Sequence, residues 1–150
     1  MNMTSKDYLP FYVSGKVVSG FCRGSKSLGC PTANLSEEIV ETLPIEFETG
    51  IYFGWACLER KIYKMVMSIG WNPFYKNEKK SMEIHLLHKF EDDFYNKILK
   101  IIVLRYIRPE LNFNSIDDLI KAIKNDIEIA KRCLDESNMI KYKEDPFLNS

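Results

Sequence analysis

Apolar and polar positions alternate in short runs through the first two thirds of the chain, and the period then changes. Runs rich in branched and aromatic residues, at about 15–19, 50–58, 62–69, 81–88 and 100–107, are separated by turn or charged residues and predict strands. Ile51, Tyr52, Phe53, Trp55, Val66 and Ile69 carry side chains suited to a pleated surface. Glu59-Arg60-Lys61 reads as a hairpin turn, and 37–43 and 92–98 each suit a short helix. Further on, Ile116, Leu119, Ile120, Ile123, Ile127, Ala130 and Leu134 recur at helical spacing and define one apolar face. Lys121, Lys124, Glu128 and Lys131 fall off that face, and Ser115 with Asp118 three residues on marks the helix start. Close-set strands followed by one long helix predict a mainly β fold, a small antiparallel barrel with the helix packed on it. Alternating βαβ units do not occur, which argues against a doubly wound nucleotide fold. The length suits one domain spanning 1–150, with its core over about 10–135 and a tail after it.

Charge and cysteine content narrow the function. Lys plus Arg equals Asp plus Glu, 21 each, so no basic excess draws in nucleic acid. Every apolar stretch is interrupted by charge before it reaches the length of a membrane span, and the N-terminus has no signal-peptide pattern. Cys22, Cys30, Cys57 and Cys133 lack zinc-finger or C-x-x-C spacing and read as reduced thiols of a cytoplasmic protein. No coiled-coil seam is present, and a monomer is expected.

The stretch GFCRGSKSLGCPTAN, residues 20–34, carries the most distinctive chemistry. It departs from a Walker A loop: Ser25 stands where the second glycine belongs, and Pro31 falls where the helix would run. Its glycines still let backbone N–H groups converge on an anion, and Arg23 and Lys26 supply charge. Thr32 and Asn34, spaced i, i+2, place two neutral oxygens on one side of an extended segment, enough for Mg²⁺ if phosphates supply most of the charge. A flexible polar surface loop is the alternative. Glu83 alternates with Met82, Ile84 and Leu86, so its carboxylate faces either solvent or a cleft, and pattern alone favours solvent. His85 and His88 have opposite parity, which excludes one shared metal site on that strand. The charged run 76–80 reads as a turn, and Trp55 and Trp71 as core or barrel-rim residues.

The stretch 20–34 resembles the glycine-rich loop and P-T-A-N motif of the riboflavin kinases, or flavokinases. The resemblance continues through TGIYFGWA (49–56), SIGWNPFYKNEKKSMEIHLLH (68–88) and LRYIRPELNF (104–113), in order. It implies a six-stranded Greek-key barrel and Mg²⁺-dependent transfer of the ATP γ-phosphoryl group to riboflavin, giving FMN and ADP. By the same resemblance, Thr32 and Asn34 hold the metal, Mg²⁺ or in its place Zn²⁺ or Mn²⁺. Gly20, Lys26, Thr32, the Leu86 backbone, His88 and Tyr95 lie near ATP, and Glu83 is the catalytic carboxylate. Arg108 and Phe113 become flavin contacts. Asp126 is either a ligand to a flavin polar group or part of a solvated helix face. Cys22, Cys30 and Leu111 depart from the family pattern, and no role is carried to Leu111. With no adenylyltransferase segment seen ahead of it, the chain resembles the stand-alone form typical of eukaryotes and is expected to stop at FMN. Two other readings remain: a non-catalytic flavin-binding barrel, and a barrel that stacks single-stranded nucleic acid on its aromatics. The neutral charge balance disfavours the latter.

Overall fold

Val13, Gly15 and Val17 turn inward while Tyr12, Ser14, Lys16 and Val18 face out, so strand alternation begins ahead of residue 15. The computed structural model describes residues 6–25, 30–71, 80–88 and 96–149, with 19–25, 30–32 and 37 described by backbone alone. Six strands form: β1 (Phe11–Ser25), β2 (Cys30–Leu35), β3 (Gly50–Leu58), β4 (Lys61–Trp71), β5 (Lys80–Leu86) and β6 (Ile98–Arg108). They close in the order β1-β2-β5-β4-β3-β6, each neighbouring pair antiparallel. The meander β3-β4-β5 with β2 returning beside β5 is a Greek key.

Two elements differ from the sequence expectation. The glycine-rich segment continues β1 as strand, paired with β2 through Gly20↔Ala33, Phe21↔Thr32 and Ser25↔Cys30. Its partner strand supplies the order that local propensity does not. The end of the helix expected over 92–98 is not helical, because Asn96 lies in a turn and Ile98 opens β6 in register with Lys16; residues 92–95 lie outside the described residues. The segment at 37 forms a short helix, α1 (Glu37–Val40), continued by turns from Thr42 and Leu43 N–H to Ile39 and Val40.

Strand alternation builds two cores from one wall. Tyr52, Ala56 and Leu58 of β3 point into the barrel with Met65, Met67, Ile84, Leu99 and Ile101. Phe53, Trp55 and Cys57 point outward onto Ile127, Ala130, Cys133 and Leu134 of the long helix α2 (Ile116–Leu134). This two-sided cover explains why β3 is almost continuously buried. Gly54 is required here, since a Cβ would run into the Ile102 carbonyl where the β3–β6 register shifts. The Ser115 hydroxyl caps α2 by accepting the Asp118 N–H at 3.1 Å. Beyond 135 the tail folds as α3 (Ser137–Ile140), a 3₁₀ turn (Lys141–Glu144) and α4 (Pro146–Asn149). Met139 and Leu148 join the outer core, and the Trp55 indole N–H donates to the Met139 carbonyl at 3.0 Å. Cys57 and Cys133 are buried free thiols. Among the described residues, no helix is long and apolar enough to cross a membrane.

At one end of the barrel, hydroxyls close a ring of hydrogen bonds. Tyr52 donates to the Glu48 carbonyl at 2.6 Å, so Tyr8 must donate to Tyr52 at 2.8 Å, and Tyr8 accepts the Glu48 N–H at 3.2 Å. Lys6, ion-paired to Glu48 at 2.8 Å, lies over the Tyr106 ring.

Candidate active site

Register sets the site. Asn34 of β2, Glu83 of β5 and Ser68 of β4 stand side by side, and Thr32, His85 and Val66 form the adjacent row. Met82, Ile84 and Leu86 are buried inside the barrel, so Glu83 and His85 project from its outer surface. That surface is not open solvent. The β6–α2 connection and the first half of α2 rise beside it and enclose a cleft of about 320 Å³. Glu83, His85, Ser68, Arg108, Glu110 and Asp126 supply its polar lining; Ile51, Val66, Leu111, Phe113, Leu119 and Ile123 supply its apolar wall.

Glu83 is half-buried and pairs with His85 through Oε1···Nε2 at 3.2 Å. A carboxylate only accepts, so Nε2 carries the hydrogen. This hydrogen bond holds the Glu83 carboxyl below its ordinary value, outweighing partial burial, which pushes the other way.

Arg108 grips Asp126 with two bonds, Nε to Oδ1 at 3.0 Å and Nη2 to Oδ2 at 2.8 Å. Asp126 is only 2% exposed, which rules out the solvated-face reading. Both its oxygens are engaged by the guanidinium, so the carboxylate orients Arg108. Burial raises the Asp126 pKa despite the Arg108 contact. The held guanidinium lies over the Phe113 ring, 5.7 Å from its centre, and both line the cleft. Gly70 makes room for the Glu110 side chain, whose carboxylate a Cβ there would meet.

The apolar stripe of α2 is divided. Ile127, Ala130 and Leu134 are core, but Ile116 and Leu119 are 74% and 41% exposed and project past the barrel wall. Periodicity marks them as one face, yet only the second half of the helix has a wall to cover it.

The remaining expected residues are dispersed or only partly described. Gly20 and Thr32 are placed by their backbones in the β1–β2–β5 sheet, and Lys26 and Tyr95 lie outside the described residues. Leu86 buries its side chain in the barrel, leaving its backbone as the part at the strand end. His88 is exposed and tilts against Tyr63, ring centres 4.8 Å apart. Among the described residues, no cluster of three His, Cys, Asp or Glu could hold an ion unaided. Asn34 stands beside Glu83 across the β2–β5 ladder. Ser68, His85, Glu110 and Leu111 were not picked out as cleft residues by sequence. Only His85 gave a signal, its i, i+2 parity with Glu83; the others depend on strand neighbours and a loop path.

Taken together, these features define a closed β-barrel whose outer cleft sets a histidine-paired carboxylate opposite an apolar wall. The comparisons with known proteins agree and go further. The sequence profile of the family described as Flavokinase, riboflavin kinase, matches residues 8–134, and the chain belongs to that family. It is 54% identical to the riboflavin kinase of Mus musculus over 93% of this chain and 90% of that protein. Identity to the Homo sapiens riboflavin kinase is 53%, covering 93% and 91%. The crystal structure of riboflavin kinase from Trypanosoma brucei superposes with a TM-score of 0.77 at 28% identity, covering 97% of this chain and 92% of that one.

Proposed function

We propose that the chain transfers the γ-phosphoryl group of ATP to the ribityl 5′-hydroxyl of riboflavin, giving FMN and ADP. The observation that carries the mechanism is Glu83, held ionised by His85 in a cleft whose far wall carries Arg108 and Phe113. Phosphoryl transfer to an alcohol asks the protein for position, charge neutralisation and a base. Glu83 accepts the hydroxyl proton as that oxygen bonds to the γ-phosphorus and the bond to ADP breaks. Arg108, fixed by Asp126, and Phe113 offer a planar surface for the flavin ring. The row Asn34, Glu83, Ser68 runs from the P-T-A-N strand toward that surface, so phosphates would lie over β2 and the ribityl chain over β5 and β4. Thr32 and Asn34 would hold Mg²⁺ together with phosphate oxygens, and the ion would neutralise charge on the phosphates. A flavin-binding barrel without transfer would need neither the Glu83–His85 pair nor neutral oxygens beside it.

The test is incubation with riboflavin, ATP and Mg²⁺, followed by separation of the flavins. FMN should accumulate with ADP in equal amount, and Glu83→Gln should lower kcat by about 10²- to 10³-fold while riboflavin still binds. No FMN from a folded, flavin-binding sample would overturn the assignment.

A further inference from the structure

His85 is the cleft residue for which the mechanism above has given no chemical task. Its side chain is 12% exposed, and it shares a strand face with Glu83 two residues away. Its Nε2–H reaches Glu83 Oε1 at 3.2 Å and occupies one of the two carboxylate oxygens. A glutamate has three side-chain torsions, and an untethered carboxylate on an outer barrel face would sample several rotamers. A base must instead lie within hydrogen-bond reach of the proton it removes. We propose that His85 is the positioning residue of this base: it anchors Oε1, so that Oε2 is presented to the substrate hydroxyl. The inference rests on the reading of Glu83 as the base. The anchoring direction is also favourable because Nε2–H stabilises the ionised form that accepts a proton.

The geometry separates two conservative substitutions. A Gln amide nitrogen at position 85 lies about where Nε2 does and can restore the bond, whereas the Asn amide stops one carbon short. On the full chain with riboflavin and MgATP, His85→Asn should lower kcat about 10- to 100-fold with KM for both substrates nearly unchanged. His85→Gln should recover kcat to within about fivefold of the parent. A residue needed only for packing would not distinguish the two in kcat at equal thermal stability. In a Glu83→Gln background, His85→Asn should add no further loss, because the imidazole acts through that carboxylate. His85→Ala replaces His85→Asn in every arm should the Asn variant not fold. Parental kcat in His85→Asn, equal kcat in the Asn and Gln variants, or losses that multiply in the double variant would overturn the positioning role. Parental turnover in Glu83→Gln alone would instead overturn the base assignment.

Discussion

Severing the Arg108–Asp126 pair should show whether it exists for stability or for position. The pair makes two charge-assisted bonds, at 3.0 and 2.8 Å, of the short, strong kind. Against them stands the desolvation of a carboxylate that is 2% exposed, and its raised pKa means that burial outweighs the guanidinium. The intact pair is therefore near break-even, while half of it is costly. Removing one partner of a buried pair costs about 3–5 kcal/mol; Arg108 keeps 19% of its side-chain surface, so about 2–3 kcal/mol is expected for Asp126→Ala. At this chain length that lowers Tm by about 5–10 °C. The double variant Arg108→Met with Asp126→Leu should return to within about 1 kcal/mol of the parent, yet bind riboflavin at least about tenfold more weakly. Thermal unfolding followed by circular dichroism, with flavin fluorescence titration, reads both quantities. A double variant no more stable than Asp126→Ala, or one with parental flavin affinity, would refute the reasoning. The pH dependence has a definite sign. With the folded pKa above the unfolded one, the folded state keeps its proton longer, so stability falls as pH rises from the unfolded value through the folded one. Asp126→Asn removes that loss, and the parent should weaken relative to it over that interval.

Other outcomes follow from the same geometry. Because His85 holds the Glu83 carboxyl below its ordinary value, kcat should persist below the pH at which a free glutamate titrates and fall through the depressed folded value. A limb at the ordinary glutamate position would contradict this. Asn34→Ala should raise the Mg²⁺ concentration needed for half-maximal rate by about tenfold, and an unchanged metal titration would count against the ligand role. Gly70→Ala places a methyl against the Glu110 carboxylate, the flexible end of an exposed side chain, and should swing that carboxylate out of the cleft. KM for riboflavin should rise more than Tm falls, and parental kinetics would show that the carboxylate moves without consequence.

How far the sequence revealed this molecule depends on the interaction in question. The strand at 80–86 was legible because its inward and outward residues differ in type, as Met82, Ile84 and Leu86 differ from Glu83 and His85, whereas β3, apolar on both faces, was legible from its run of branched and aromatic residues. The start of β1 was not, since Tyr12 and Val18 face outward and blur the alternation. Ile98, 50% exposed, carried no mark of the strand it opens beside Lys16. The helix α2 was evident, but its division into core and cleft depends on where the barrel wall ends. Asp126 looked ambiguous because a buried carboxylate becomes tolerable only beside a guanidinium 18 residues away. Motif resemblance named Glu83, Arg108 and Phe113, whereas Ser68 and Glu110 emerge only once β4 lies beside β5 and the connection folds back on Gly70.

The closure of the barrel also orders its making. Phe11 pairs with Val103 and Lys16 with Ile98, so the first strand meets its last neighbour some 90 residues later. During synthesis, Val17 can meet Leu35 of β2 early, whereas the Phe11–Lys16 half of β1, Val13 included, waits for its ladder partner until β6 emerges. Such distant pairing slows folding and leaves a sticky ribbon in the interim. The outward Lys16 and Ser14 on that edge give it polar cover while the nascent chain waits.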